Sequence, residues 1–260
     1  MSRFTPQFYD DESRLARARE RAREIDKLIG LRGQRVLEVG GGHGDLAFIL
    51  AHEYDCQVVA TEIIAQNSWN ELRHPRLQFI ELDISEQGGA DIFQDNHFDR
   101  IISFVVWEHM RHPFSALSEC QRVLKPDGKK YLHAYLAGAP RLSHLHYIFP
   151  EPWLHLTSSE SEIKARLSVN ELPWYFYCNR LTHSHYLTYF RMLGFHITYE
   201  NIIREPFDEG YYLENERILG LFPLYDLKAH GLQVVLEFDK DSPKSEAFDP
   251  VYKYCNYRSG

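Results

Sequence analysis

The spacing of hydrophobic positions changes several times along the chain, and each change marks an element. From Glu12 to Gly30, "ESRLARARERAREIDKLIG" sets Leu15, Ala18, Ala22, Ile25, Leu28 and Ile29 near one side of a helix. Arginines fill the other sides and read as a solvated face. From Arg35 onward, short β-type runs alternate with helical ones. "RVLEVG", "CQVVATE", "RLQFIELD", "DRIISFVV" and "KKYLHAYLA" predict strands, Asp45–Glu53 and Phe114–Leu124 predict helices, and "KPDGK" predicts a turn before the fifth strand. Further on, "SHYLTYFRMLGFHITYE" predicts a helix stopped at Gly194 and a strand over Phe195–Glu200, and "GLQVVLEF" a last strand over Gly231–Phe238. Strands alternating with helices predict an α/β protein with a doubly wound, Rossmann-like, mostly parallel sheet. Residues 138–180 and 203–229 break the alternation. Long loops inside compact α/β domains commonly carry function, so both are expected to be lid or substrate insertions in a single domain over 1–260. Residues 1–33 form its N-terminal helical segment.

Composition narrows the classes. The chain has 260 residues and a formal net charge of −8. A duplex-binding surface carries a basic excess, so no nucleic-acid partner is expected. The opening "MSRFTPQFYDDESR" lacks the apolar core of a signal peptide, and no run of about 18 apolar residues occurs. The expectation is a cytoplasmic protein with no membrane partner. Cys56, Cys120, Cys178 and Cys255 are widely spaced with no CxxC pair, which suggests neither a disulfide framework nor a zinc site.

The candidate chemistry starts where the first strand runs into "GGGHG". A glycine turn between strand and helix lets the backbone approach a ligand, and the helix directs free N–H groups at it. Dinucleotide sites use G-x-G-x-x-G, but here Asp45 breaks that spacing, and an acid at the helix start repels a pyrophosphate. A tight turn with no ligand is the plainer alternative. The pattern present is E-x-G-x-G-x-G: Glu38, Gly40, Gly42 and Gly44, with Gly41 between. It resembles motif I of the class I S-adenosylmethionine-dependent methyltransferases, whose ligand is a sulfonium cation that tolerates nearby carboxylates. The resemblance continues through Glu62 at the end of the second strand, with Ile63 after it, and Asp83 in "ELDIS". It also takes in "FDRIISFVVWEHMRHPFSALSECQRVLKPDGK", and runs from Arg35 to about Ala137. It implies a seven-stranded sheet with an antiparallel last strand and S-adenosylmethionine as cofactor. It further implies Glu62 on the ribose hydroxyls, Asp83 on the adenine amino group with the Ile84 N–H on a ring nitrogen, and the Phe104 backbone facing the methionine moiety.

Glu108 and His109 follow the fourth strand. One metal-dependent RNA-methylating branch of the family carries an ExxEH set there. Val105 stands at the first glutamate position, so the set is incomplete and no metal site is expected. His109 is a candidate base and Glu108 a candidate substrate contact. The insertion "AYLAGAPRLSHLHYIFPEPWLHLTSSE" adds His144 and His146 as further candidate bases, Arg141 as a carboxylate or phosphate clamp, and Tyr147 as a substrate contact. His133 and His155 belong to the same cluster, although each histidine taken singly also reads as a loop residue. The aromatics of "LPWYFYCNR" and "EGYYLENER" read equally as pocket lining, insertion core or the contact of a homodimer. Phe4, Phe8 and Tyr9 could fold over the cofactor. The chain is thus expected to methylate a small polar metabolite, with O-methylation favoured. N-methylation, or cofactor binding without transfer, is the alternative. A nicotinamide dehydrogenase is disfavoured by the missing third glycine of its fingerprint.

Overall fold

The computed structural model describes residues 11–86, 91–172 and 176–238. Phe4, Phe8, Tyr9, Pro173 to Tyr175 and Cys255 lie outside them. Seven strands form one sheet: β1 (Arg35–Val39), β2 (Gln57–Glu62), β3 (Leu77–Glu81), β4 (Phe98–Phe104), β5 (Leu124–Tyr135), β6 (Phe195–Ile203) and β7 (Gly231–Phe238). Their order is β3-β2-β1-β4-β5-β7-β6. The first five pair in parallel, and β7 lies antiparallel between β5 and β6. The order reverses beside β1, where β2 and β4 diverge to opposite sides. In open α/β sheets the crevice at the strand carboxyl ends of such a point takes the ligand.

Strand alternation sends successive side chains to opposite faces, and each face has its own core. Val36, Ile102 and Tyr131 point to the face covered by α1 (Asp11–Ile29) and α2 (Asp45–Glu53). Leu37, Val39, Ile101 and Leu132 point to the face covered by α3 (Pro113–Val123) and α6 (His183–Met192). The apolar stripe of α1 docks through Ala18, Ala22, Ile25 and Ile29, all buried. Burying Ile25 alone contributes roughly 1.5–3 kcal/mol. Pro113 opens α3 at a position where its missing N–H costs nothing.

The predicted "KPDGK" turn proves to be an interruption within β5. Pairing jumps from Phe98 opposite Leu124 to Arg100 opposite Lys129, so the turn residues bulge out and the strand begins earlier than the sequence suggests. The insertion after β5 holds α4 (Leu154–Thr157) and α5 (Glu160–Leu167), the latter opened by a Ser159–Glu162 capping box. Leu145, Leu154, Ile163 and Phe176 give it a small core of its own. The stretch after β6 holds α7 (Glu209–Glu214), α8 (Glu216–Leu219) and α9 (Leu224–Leu227). It packs on the first insertion through Trp153, whose ring lies 5.3 Å from that of Phe207 and whose Nε1–H donates to the Gly138 carbonyl at 2.7 Å. Part of the aromatic run "EGYYLENER" is therefore core between the two insertions. Among the described residues no helix is long and apolar enough to cross a membrane.

Candidate active site

The glycine loop leaves β1 at Val39 and is tied to β2 at once. The N–H groups of Gly40 and Gly41 both donate to the Thr61 carbonyl at 2.9 Å. Gly40 has φ +74°, and a Cβ there would lie 2.2 Å from Cγ2 of Val106. Positive φ and close approach together explain why only glycine fits. Gly42 has φ +52° with nothing within 4 Å of a notional Cβ, so its backbone borders open space. A 3-10 turn over Asn67–Asn70 clamps the loop from outside. The Trp69 indole N–H donates to the Gly42 carbonyl at 2.9 Å, and its ring stacks on Phe79 at 4.9 Å. Nothing in the sequence pattern singled out Trp69.

A cavity of about 410 Å³ opens over this loop. Of the predicted cofactor residues, Glu38, Gly40, Gly41, Gly42, Glu62, Ile63, Asp83, Ile84 and Phe104 line it. Gly44 does not; it serves as the left-handed cap of α2, with φ 87°. The acids are held by their neighbours. The Glu62 carboxylate accepts from the Gly42 N–H at 3.0 Å and the Ile63 N–H at 2.9 Å. Oδ1 of Asp83 accepts from the backbone N–H and the hydroxyl of Ser85 at 2.8 and 2.6 Å. Glu38 is different. Strand alternation places it on the α1 face, 4% exposed, with Oε2 buried and without a hydrogen-bond partner. Burial pushes its carboxyl up to about 8, against the pull of Arg21.

The α1 arginines depart from the expectation of a solvated face. Arg14, Arg17 and Arg21 line the cavity, one helical turn apart. Nε of Arg14 pairs with Asp45 at 3.1 Å, and the Arg21 guanidinium lies 3.9 Å over the Phe104 ring.

On the opposite wall, β4 ends in a strained step. Val105 has φ +58°, a conformation that β-branched residues rarely adopt. It is fixed by a 2.8 Å bond from its N–H to the His133 carbonyl. The 3-10 turn Trp107–His109 follows and delivers His109 to the cavity. Nδ1 of His109 lies 2.7 Å from the Tyr177 carbonyl, which can only accept, so Nδ1 carries the proton. Nε2 then holds a lone pair and accepts from Nε2–H of His144 at 3.0 Å. Burial lowers the affinity of His109 for a second proton.

The remaining predicted acceptor residues fall elsewhere. Glu108 is fully buried behind the wall, its carboxyl pushed up to about 8 by burial; it touches no open space and is corrected from substrate contact to core. His144 stands behind His109 rather than on the cavity wall. Arg141, His146 and Tyr147 do not reach the wall either. Tyr147 is half exposed, with its ring 4.1 Å from that of His146. The reason is geometric: the first insertion packs on its own core and touches the cavity through Tyr177, which the sequence offered only as one aromatic in a run. No described residue of 203–229 lines the cavity. His155 is buried, with Nε2 2.9 Å from the Ala137 carbonyl, a structural role. Among the described residues no group of three or more His, Cys, Asp or Glu gathers in a way that could hold a metal ion.

The sheet order, the antiparallel seventh strand and an acid-lined glycine loop at the β1 crossing define an α/β domain of methyltransferase type. Residues 37–132 match the family model described as a methyltransferase domain. That match takes in just over a third of the chain and supports a domain of the class I S-adenosylmethionine-dependent methyltransferase type over these residues. The chain is 33% identical over 103 residues to cyclopropane-fatty-acyl-phospholipid synthase of Escherichia coli, a match that covers 39% of this chain and 26% of that protein. It is 30% identical over 110 residues to ubiquinone biosynthesis O-methyltransferase of Xylella fastidiosa, covering 42% and 44%. The chain thus matches less than half the length of either relative. In fold it is similar to the 1,6-didemethyltoxoflavin-N1-methyltransferase of Burkholderia thailandensis, solved with its acceptor and S-adenosylhomocysteine. That likeness has a TM-score of 0.51 at 16% identity and covers 88% of this chain and 79% of that one.

Proposed function

We propose that the protein transfers a methyl group from S-adenosylmethionine to a small polar acceptor, and that the acceptor atom is a hydroxyl oxygen. The observation that carries the cofactor reading is the buried, unpartnered Oε2 of Glu38 on a cavity wall that also holds Glu62 and Asp83. A buried acid oxygen with no hydrogen-bond partner is costly unless a ligand completes it, and this cofactor brings an ammonium and a sulfonium. The related structure with S-adenosylhomocysteine supports the same reading. When bound, the cofactor supplies an electrophilic methyl group. The protein supplies position and dryness. Glu62 and Asp83 are held by backbone donors, so they meet a nucleoside without rearranging. Charge-removing replacements Glu62→Gln and Asp83→Asn are each expected to weaken S-adenosylhomocysteine binding by about 10- to 100-fold, the worth of one charge-assisted hydrogen bond. Calorimetry reads this directly, and unchanged affinity in both variants would overturn the cofactor assignment.

Glu38 adds a pH dependence with a definite sign. In the ligand-free protein its carboxyl stays protonated until about pH 8. A bound cation favours the ionised form, so binding below that pH releases a proton. Affinity for S-adenosylmethionine is therefore expected to rise with pH, by up to about tenfold per unit below about pH 8, and then to level. Glu38→Gln should flatten the curve in calorimetric titrations from pH 6 to 8. An identical slope in the variant would remove Glu38 from the site.

The oxygen assignment rests on His109. An amine nucleophile needs only to be neutral, whereas a hydroxyl benefits from a base. With Nδ1–H committed to the Tyr177 carbonyl, the Nε2 lone pair is the basic atom, and His144 fills the position of its donor. Because His144 stands off the cavity wall, this reading requires the His109–His144 contact to open when the acceptor binds, so that the acceptor hydroxyl reaches Nε2 and gives it its proton as the methyl group moves.

A further inference from the structure

The cavity wall carries four guanidinium groups, those of Arg14, Arg17, Arg21 and Arg111, against the carboxylates of Glu38, Asp45, Glu62 and Asp83. Arg14 is committed to Asp45. Under the methyltransferase reading, on which this inference rests, Glu38, Glu62 and Asp83 face a ligand with two cationic centres and one carboxylate. Those acids are then taken up by the cofactor's cationic groups, and among the described residues Arg111 makes no ion pair with any of them.

Placement sharpens the point. Arg111 follows His109 by two residues, and its guanidinium lies 4.8 Å from the centre of the Tyr177 ring. The carbonyl of that same Tyr177 fixes the imidazole of His109. One residue thus positions both the base and a cation beside it. On the facing helix, Arg21 is held over Phe104, and burial disfavours its charge unless an anion is near. Phe104, Met110 and Tyr177 supply apolar wall between these charges. A planar guanidinium matches a carboxylate or phosphate with paired hydrogen bonds.

We propose that the acceptor is an anion, a hydroxy compound bearing a carboxylate or a phosphate, and that Arg111, supported by Arg21 of α1, is the side chain that selects it. The anion anchors the acceptor at Arg111 and leaves its hydroxyl to His109. A cationic acceptor is repelled both by these arginines and by the sulfonium.

Calorimetry on protein with and without saturating S-adenosylhomocysteine tests this, using 4-hydroxyphenylacetate, phenyl phosphate and the neutral 4-hydroxyphenylacetamide as probes. At least one anion is expected to bind tenfold or more tightly than the amide, and the tighter of the two names the anionic group. Arg111→Gln should abolish that preference while changing S-adenosylhomocysteine affinity by less than threefold. Arg111 is exposed, so the variant is expected to fold. A preference below twofold for both anions, or a preference untouched by Arg111→Gln, overturns the proposal. Failure of S-adenosylhomocysteine to bind overturns the methyltransferase reading instead, because the anion preference is also read in the cofactor-free protein.

Discussion

Replacing His109 with glutamine is expected to lower kcat by about 10²- to 10⁴-fold, the usual contribution of a positioned general base. The affinity for S-adenosylhomocysteine should stay within a few-fold of the parent value, because Glu62 and Asp83, the residues proposed to hold the nucleoside, are on the other wall. Glutamine keeps the size and one hydrogen bond to the Tyr177 carbonyl but has no basic nitrogen. The loss should therefore fall on the chemical step, seen as slower single-turnover release of S-adenosylhomocysteine at saturating acceptor. The pH profile adds a second readout. Burial lowers the pKa of His109 below the ordinary 6.5, so the acid limb of kcat should fall below that value in the parent and vanish in His109→Gln. His144→Ala removes only the N–H that the acceptor displaces, and a change under tenfold is expected. A His109 variant with near-parental kcat would mean that the acceptor atom needs no base, as for an amine.

Gly40→Ala is expected to cost on the order of 2–5 kcal/mol of stability and to weaken cofactor binding at least 100-fold. Two effects add. Alanine at φ +74° is strained, and its Cβ would sit 2.2 Å from Cγ2 and 2.9 Å from Cβ of Val106. The second distance matters more, because the Cβ of a valine cannot rotate away. Val106 precedes the turn that carries His109, so relief of the clash displaces the glycine loop, the base, or both. Thermal unfolding and calorimetry measure the two losses. Val106→Ala should be mild alone and should recover part of the loss in the double variant, a coupling that a purely conformational cost at Gly40 would not give.

Much of this architecture was legible in the chain. The β-type runs placed all seven strands, and α2 and β7 coincide with the predicted ranges, because local pattern and final packing agree there. The residues proposed for the cofactor line one cavity for the same reason: Glu62, Asp83 and Gly40 to Gly42 sit at strand ends, where sequence position fixes location in space. The acceptor side was not legible in this way. Arg14, Arg17 and Arg21 fall in an alanine-rich amphipathic helix, and only the packing of α1 on the sheet face turns a cationic stripe toward the cavity. The spacing of those arginines was visible, but which surface they would face was not. The histidines of the insertion misled because residues near one another along a loop need not share a wall. Leu145, Leu154 and Ile163 pull the insertion onto its own core, leaving Tyr177 as its contribution. Glu108 and His109 are neighbours in sequence yet part company, since a 3-10 turn sends one into the core and the other into the cavity.

The seventh strand carries a consequence for synthesis. β5 is twelve residues long, and the neighbour that completes it on one side is translated only near residue 238, after both insertions have emerged. Until then a nascent chain on the ribosome presents a long unsatisfied edge, a template for pairing with other chains. Chains that stop short of Gly231 should accumulate in the insoluble fraction or on chaperones, even though every described residue that lines the cavity has already been made.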